Sequence, residues 1–334
     1  MISKDQLIDR FGRIHDYLRI SVTDRCNLRC IYCRPEESAS PFDHKEILRY
    51  EEIGEIVKVA AKLGVKRIRL TGGEPLVRRD LEKLIKLLSD IPGIEDIALT
   101  TNGIFLAEKA AVLKKAGLSR VNISLDSMKP NRYRQMTRGG DIQRVLDAID
   151  ASLALGLAPV KLNVVLMRGF NDDEIEDFLF MTLQRPVHVR FIEYMPIASD
   201  ANEWRTHYLP LISVLERASK FGNPAIMTGN MIGNGPSENY TLPNALGSFG
   251  LIHPVSNHFC GTCNRLRLTA DGNLKSCLYW GDELYIRPFT HHPEALKQVF
   301  LKALSTKPEE HGMNLHSEEQ SHTPTWRWMS QIGG

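Results

Sequence analysis

The stretch Leu18-Arg-Ile-Ser-Val22-Thr-Asp-Arg-Cys26-Asn-Leu-Arg-Cys30-Ile-Tyr-Cys33 joins a short apolar run to a loop carrying three cysteines. The run reads as a buried strand and the cysteines as the loop at its C-terminal end. Gaps of three and then two residues between the cysteines suit one compact metal centre. Three thiolates cannot saturate a four-iron cube, which leaves one iron open to a substrate or cofactor, whereas a cube held by four cysteines carries electrons. A zinc knuckle is the other reading, with His15 or His44 as its fourth ligand.

Outward from this stretch, residues 17 to about 192 alternate apolar runs with amphipathic segments, the pattern of parallel strands joined by crossover helices. Six strands are expected: Leu18 to Val22, Arg67 to Leu70, Asp96 to Thr100, Arg120 to Leu125, Val160 to Leu166 and Val187 to Ile192. Between them Ile53, Ile56, Val57, Ala60 and Leu63 recur at helical spacing, as do Leu81, Leu84, Ile85 and Leu88, and Val145, Ile149 and Leu153. The chain is therefore read as α/β, a partial TIM-like barrel of six units, although a doubly wound sheet has similar periodicity. In a parallel barrel functional groups sit at strand C-termini. The cysteine loop, Gly72-Gly73, Thr101-Asn102-Gly103, and Ser124 with Asp126 follow successive strands in that way.

Beyond residue 222 the sequence turns rich in Gly, Pro, Asn and Ser, so a core over residues 1–222 and a smaller C-terminal domain over 223–334 are expected. Val299, Leu301 and Leu304 suggest a late helix, and Glu309 to Thr323 reads as a polar surface segment. A chain of 334 residues with 43% apolar composition can bury a large core. Its net charge of +2 argues against a nucleic-acid partner or a basic membrane face, so an anionic ligand must meet a local cluster. Charges near Met1 where a leader would be apolar, and the lack of a long apolar run, lead to the expectation of a cytoplasmic protein without membrane association.

All six cysteines fall into two sets, which favours metal over disulfides in a reducing compartment. The second set is Cys260-Gly-Thr-Cys263 with Cys277 beyond it, and zinc completed by His253 or His258 competes evenly there with an iron-sulfur centre. Arg19, Arg69, Lys161 and Arg190 interrupt strands that should be mostly apolar, and Arg265 and Arg267 follow the second cysteine pair. An unpaired charge in such a strand is costly. These cations either pair with carboxylates such as Glu74 and Glu193 or converge on a polyanion. No Gly-Lys dipeptide occurs, so a Walker-type phosphate loop is excluded.

The first cysteine set followed by Thr71-Gly72-Gly73-Glu74-Pro75 resembles the radical S-adenosylmethionine superfamily. The second set, with Asn-Arg-Leu-Arg after Cys263 and a final Gly333-Gly334, resembles the GTP 3',8-cyclase family nearly end to end. The resemblance implies two [4Fe-4S] clusters, on Cys26, Cys30 and Cys33 and on Cys260, Cys263 and Cys277. It implies S-adenosylmethionine held by Tyr32, Gly73, Ser124 and Met195, with GTP held by Arg19, Arg69, Thr100, Lys161, Arg190, Arg265 and Arg267. The implied reaction uses a 5'-deoxyadenosyl radical to take the 3' hydrogen of GTP, after which the ribose carbon attacks C8 of guanine. Arg19 is the candidate catalytic residue, as stabiliser of the resulting radical or as a phosphate ligand. The Gly-Gly tail is expected to enter the active site. An electron donor and a downstream pterin-forming enzyme are the implied partners, and a homodimer is left open. A radical peptide-modifying enzyme and a non-enzymatic, metal-stapled electron carrier are the competing readings; the first usually carries more cysteines in its second set.

Overall fold

The computed structural model describes residues 6–33, 41–197, 201–228, 235–313 and 323–333. Its six barrel strands are β1 (Tyr17–Ser21), β2 (Arg67–Thr71), β3 (Asp96–Thr101), β4 (Arg120–Ser124), β5 (Lys161–Leu166) and β6 (His188–Glu193). Each lies within a residue or two of its expected position. They pair in sequence order and all in parallel.

The crossover helices are α1 (Tyr50–Lys62), α2 (Leu81–Ser89), α3 (Leu106–Ala116), α4 (Pro130–Thr137), α5 (Ile142–Ala154) and α6 (Ile175–Gln184), followed by α7 (Ala201–His207) and α8 (Ile212–Ala218). Local chemistry sets their ends. Asp141 caps α5 by accepting from the Gln143 N–H at 3.0 Å. Glu52 reaches back to the Arg49 N–H at 2.6 Å at the start of α1. Gly117, at φ 114°, ends α3 in the left-handed region that favours glycine.

Side chains alternate across each strand, and that period of two explains why cations interrupt apolar runs. Leu18, Ile20, Ile68, Leu70, Leu99, Val121, Leu162, Val164, Val189 and Phe191 form a fully buried layer with helix residues such as Ile53, Ile56, Leu84, Val145 and Phe178. The alternate positions, among them Arg19, Arg69, Ser124, Asn163 and Arg190, line the inner face. Arg190 on β6 reaches across β5 to donate to Asn122 Oδ1 on β4 at 2.7 Å, so the sheet curls around its interior.

The segment after residue 222 contributes β7 (Ala225–Ile226), β8 (Glu238–Thr241), β9 (Ser248–Ile252), β10 (Arg265–Leu268), β11 (Asn273–Lys275) and β12 (Leu284–Tyr285), then α9 (Pro293–Ser305) and α10 (Met329–Ile332). Its strands extend both edges of the barrel sheet, in the order β12-β11-β10-β1-β2-β3-β4-β5-β6-β9-β8-β7. The β10 strand runs parallel to β1 and β9 parallel to β6. The expected change of character near residue 222 is thus a change from strand–helix units to edge strands within one continuous sheet.

The expected late helix is present, with Leu296, Phe300, Ala303 and Leu304 as its buried stripe and Leu301 exposed. One expectation is corrected here. Within the polar stretch from Glu309, His311 and Met313 are buried against the C-terminal aromatics Tyr279 and Trp280; residues 314–322 of that stretch lie outside the described residues. Among the described residues no helix is long and apolar enough to cross a membrane.

Candidate active site: two cavities of opposite charge

Two cavities share a wall, the first at the C-terminal ends of the strands and the second deeper in the barrel, where Tyr17 and Arg265 open β1 and β10. The first, ≈ 180 Å³, is lined by Cys26, Cys30, Tyr32 and Cys33 after β1, Gly72, Gly73 and Glu74 after β2, and Asn102 after β3. Thr100 of β3, Ser124 of β4, Asp126 just beyond it, and Met195 after β6 complete its working wall. Among the described residues no Lys, Arg or His lines it, and two buried carboxylates do.

Those carboxylates are built into the loops. Glu74 accepts from the Asn102 N–H at 2.7 Å, the Leu76 N–H at 3.0 Å and Thr101 Oγ1 at 2.8 Å, and burial still pushes its pKa up to about 7. Asp126 accepts from Tyr32 Oη at 2.7 Å and the Val165 N–H at 2.9 Å, and burial raises it to about 6. Burial also pushes the Cys30 thiol up, helped by Asp126 and the neighbouring Cys33 and Cys26.

Gly72 and Gly73 line this cavity, and the backbone packing beside them needs glycine as well. A Cβ on Gly72 would stand 2.2 Å from the Thr23 carbonyl oxygen, and one on Gly73 2.3 Å from that of Arg25. The two glycines let β2's loop press against the backbone of the cysteine loop, fixed by the bonds Gly73 N–H to Thr23 O (2.7 Å) and Glu74 N–H to Arg25 O (2.8 Å).

The second cavity, ≈ 120 Å³, is lined by Arg19 of β1, Arg69 of β2, Arg190 of β6, Arg265 and Arg267 of β10, and by Tyr17 and Asn163. Among the described residues no carboxylate lines it. The pairing register sets Arg267 and Arg69 on either side of Arg19 in neighbouring strands. Like charges placed directly opposite are destabilising. Burial, and after it Arg267 and Arg69, pushes Arg19 well below the usual guanidinium range. Arg69, Arg190 and Arg265 each keep a buried Nε with no hydrogen-bond partner. The carboxylates offered by sequence as alternative partners are engaged elsewhere: Glu74 as above, and Glu193 with the N–H groups of Val255 and Ser256 at 2.9 and 3.0 Å. A buried, cation-rich cavity of this kind fits a polyanion.

Asn163, Ile192, Met195 and Met329 line both cavities. Arg267 Nη1 donates to the Gly333 carbonyl at 2.6 Å, and Gly333 packs so closely on Thr71 and Ser21 that a Cβ there would stand 2.5 Å from Thr71 Cγ2. The chain end thus lies against the site; Gly334 is outside the described residues. Lys161 lines neither cavity. It is buried on β5 beside Arg190, Arg120 and Arg69, and burial with those cations lowers its pKa to about 6. Thr100, expected as a GTP contact, lines the cysteine cavity, where its buried Oγ1 has no partner.

The second cysteine set stands beside a cation that sequence reasoning missed. Lys307 is buried and donates to the Arg265 carbonyl at 3.2 Å and to the Ser276 carbonyl, with Cys263 Sγ at 3.7 Å. Burial acts to raise the Cys263 thiol, but Lys307 and Arg265 outweigh it and bring it down to about 7. Lys307 follows a helix at an otherwise ordinary position, so nothing local marks it. Arg13 clamps the same region by donating to the carbonyls of Cys260 (2.8 Å), Pro308 (2.7 Å) and Glu309 (2.6 Å).

The histidines proposed as zinc ligands have other neighbours. His15 bonds Asp9 at 3.0 Å, His258 bonds Glu310 at 3.0 Å, and His253 lies 3.6 Å from Glu193. His44 is exposed in a surface depression beside Cys26. Among the described residues no three His, Cys, Asp or Glu side chains converge on a single ion.

Comparison with known proteins agrees with this geometry. Residues 20–182 match the family model described as Radical SAM superfamily, and residues 187–313 the one described as Molybdenum Cofactor Synthesis C. The GTP 3',8-cyclase of Listeria welshimeri is 53% identical over 98% of this chain and 99% of its own length. The chain belongs to the GTP 3',8-cyclase family. The family's enzyme from Moorella thermoacetica is 52% identical over 98% of this chain and 99% of its own. Among solved structures, Streptococcus suis SuiB bound to S-adenosylmethionine aligns with TM-score 0.56 at 13% identity, over 80% of this chain and 62% of that one, and so shares the fold.

Proposed function

We propose that the chain is a radical S-adenosylmethionine GTP 3',8-cyclase, converting GTP to (8S)-3',8-cyclo-7,8-dihydroguanosine 5'-triphosphate, the first step of molybdenum cofactor biosynthesis. The observation that carries this is the pair of adjoining cavities: among the described residues one holds three thiols and two buried carboxylates, the other five arginines and no carboxylate. S-adenosylmethionine bears a sulfonium and an ammonium, whereas GTP bears close to four negative charges. Each cavity therefore suits one of the two.

Cys26, Cys30 and Cys33 would hold a [4Fe-4S] cluster with an open iron, and the cavity fits S-adenosylmethionine through Glu74, Asp126, the partnerless Thr100 Oγ1, Ser124 and Met195. When bound, the pair supplies one-electron reductive cleavage and with it the power to abstract hydrogen from carbon. The chain's own residues orient the substrate. Arg69, Arg190, Arg265 and Arg267 grip the triphosphate from three strands, and Arg19 sits between two of them as a further phosphate ligand or radical stabiliser. Asn163, Ile192 and Met195, common to both cavities, stand where the ribose meets the reactive end of the cofactor. Holding the reacting atoms in register at that half-buried junction is the protein's part in the chemistry. Cys260, Cys263 and Cys277 are assigned a second cluster, with Lys307 balancing its thiolate charge.

The test is anaerobic reconstitution followed by iron, sulfide and zinc analysis, then turnover with S-adenosylmethionine, GTP and dithionite. About eight irons per chain and a cyclised nucleotide triphosphate are expected. Zinc retained at the second set, or S-adenosylmethionine cleavage without GTP consumption, would overturn the corresponding part.

A further inference from the structure

A third depression, ≈ 760 Å³, opens at the surface on the other side of the first cysteine loop. Arg25, Arg49, Arg78, Arg79 and His44 line it, among the described residues no Asp or Glu does, and Cys26 lies in its wall. Cys26 also lines the cysteine cavity, so this one residue stands between the buried site and the exterior.

The positive charge here is little neutralised, with Arg25 and Arg78 anchored and Arg49 and Arg79 exposed. Among the described residues, Arg49 alone of the four arginines has a carboxylate at ion-pair distance, Glu52 at 3.5 Å. Arg78 donates to the carbonyls of Val22 and Leu48 at 2.5 and 2.7 Å and lies 4.2 Å over the Tyr50 ring. Glu51 and Glu52 act on it only through space. Arg25 donates to the Phe42 carbonyl at 3.4 Å. Carbonyl partners anchor a guanidinium without cancelling its charge. In a chain whose net charge is only +2, such a local concentration makes a steering surface.

We propose that this depression docks the electron donor of the reaction, an acidic one-electron carrier protein. The proposal rests on the functional reading above, which requires one electron for each S-adenosylmethionine cleaved. In the step itself one electron leaves the reduced carrier, passes the Cys26 wall and enters the first cluster; the carrier departs oxidised by one electron, and no bond or proton is exchanged between the proteins. The arginines come from three separate segments, the cysteine loop, the start of α1 and the turn after β2, a breadth that suits a protein face. Opposed charge of this kind acts mainly on encounter rate.

The experiment uses the anaerobic holoenzyme and reduced flavodoxin as the acidic probe, with flavin oxidation followed by stopped flow. Arg79 is exposed, and Arg49→Gln gives up only the 3.5 Å contact with Glu52, which keeps Arg287 and the Arg49 N–H as partners, so Arg79→Glu and the double variant Arg49→Gln/Arg79→Glu leave the local fold in place. Steering predicts a fall of about tenfold in the second-order rate constant for the double variant at low ionic strength. The difference should vanish near 0.5 M salt, where screening acts over roughly 4 Å. Dithionite-driven cyclisation should stay unchanged. Equal rate constants at low salt would overturn the docking surface and leave the functional reading standing. A competitive slowing by free GTP that the double variant abolishes would also overturn it, making the depression a nucleotide site. If the unsubstituted enzyme, with its iron in place, fails to cleave S-adenosylmethionine with dithionite, the functional reading falls and this proposal with it.

Discussion

The two cysteine sets lie at opposite electrostatic poles of one interior. Around Cys26, Cys30 and Cys33 the cavity carries the buried carboxylates Asp126 and Glu74, and Cys30 is pushed up by burial and by negative neighbours. Beside Cys263 stand Lys307, Arg265 and Arg267, which draw it down to about 7 despite its burial, whereas burial raises Cys260 of the same set to about 11. Three cysteines in each set would suggest equivalent centres. Their surroundings instead divide labour: the acidic side suits a cationic cofactor and the basic side an anionic substrate, with Asn163, Ile192 and Met195 at the border.

Deleting either set of thiols should break that division most sharply. Alanine at Cys26, Cys30 or Cys33 should abolish S-adenosylmethionine cleavage, measured as methionine and 5'-deoxyadenosine released. Alanine at Cys260, Cys263 or Cys277 should stop cyclisation yet spare some uncoupled cleavage. Equal loss from both sets would mean that the two centres act as one.

Arg265→Ala/Arg267→Ala attacks the basic side alone. Each charge-assisted bond is worth roughly 1.5 to 3 kcal/mol, so GTP affinity should fall at least about tenfold in calorimetry, with S-adenosylmethionine affinity and iron content retained. An unchanged GTP affinity would show that the arginine cavity does not hold the triphosphate.

The acidic side carries a pH signature. Burial raises Glu74 from 4.5 to about 7, so the folded protein holds a proton there that the unfolded chain releases at lower pH. Stability from this group is fully present below about 4.5 and is lost as pH rises through about 7. A cationic ligand binds the ionised form, so S-adenosylmethionine affinity should rise several-fold from pH 6 to pH 8, and in Glu74→Gln the rise should shrink to the part left by Asp126, which burial raises to about 6. A flat profile in the unsubstituted enzyme would remove Glu74 from the cofactor's contacts.

The smallest effect is expected at Lys161. It lines neither cavity, and its pKa of about 6 leaves it mostly neutral at pH 7, so Lys161→Ala should change GTP affinity by less than about threefold. A loss as large as that from the arginine pair would place Lys161 on the substrate after all.

Much of this molecule was legible in its sequence because parallel strands write themselves as short apolar runs, and all six barrel strands fell where those runs stood. The cysteine spacings marked both centres for a similar reason: a loop that wraps a compact cluster must return its ligands within a few residues. The cations in the strands were visible too, as charges where none should be. Their partners were not. Whether Arg69 met Glu74 or a ligand depended on which face of β2 it took and on Thr101 and Asn102 claiming that carboxylate. The second half of the chain hid most. The pairing of β10 with β1 places Arg267 beside Arg19 across almost 250 residues of sequence. No local propensity encodes that register. Lys307 reaches Cys263 across 44 residues and Arg13 reaches the Cys260 carbonyl across 247, contacts between side chains ordinary in their own neighbourhoods. The sequence determined which elements form and which residues can bind iron or phosphate, since both depend on local spacing and residue type. Only the tertiary structure decided which charges are compensated, because compensation depends on distances that closing the sheet creates.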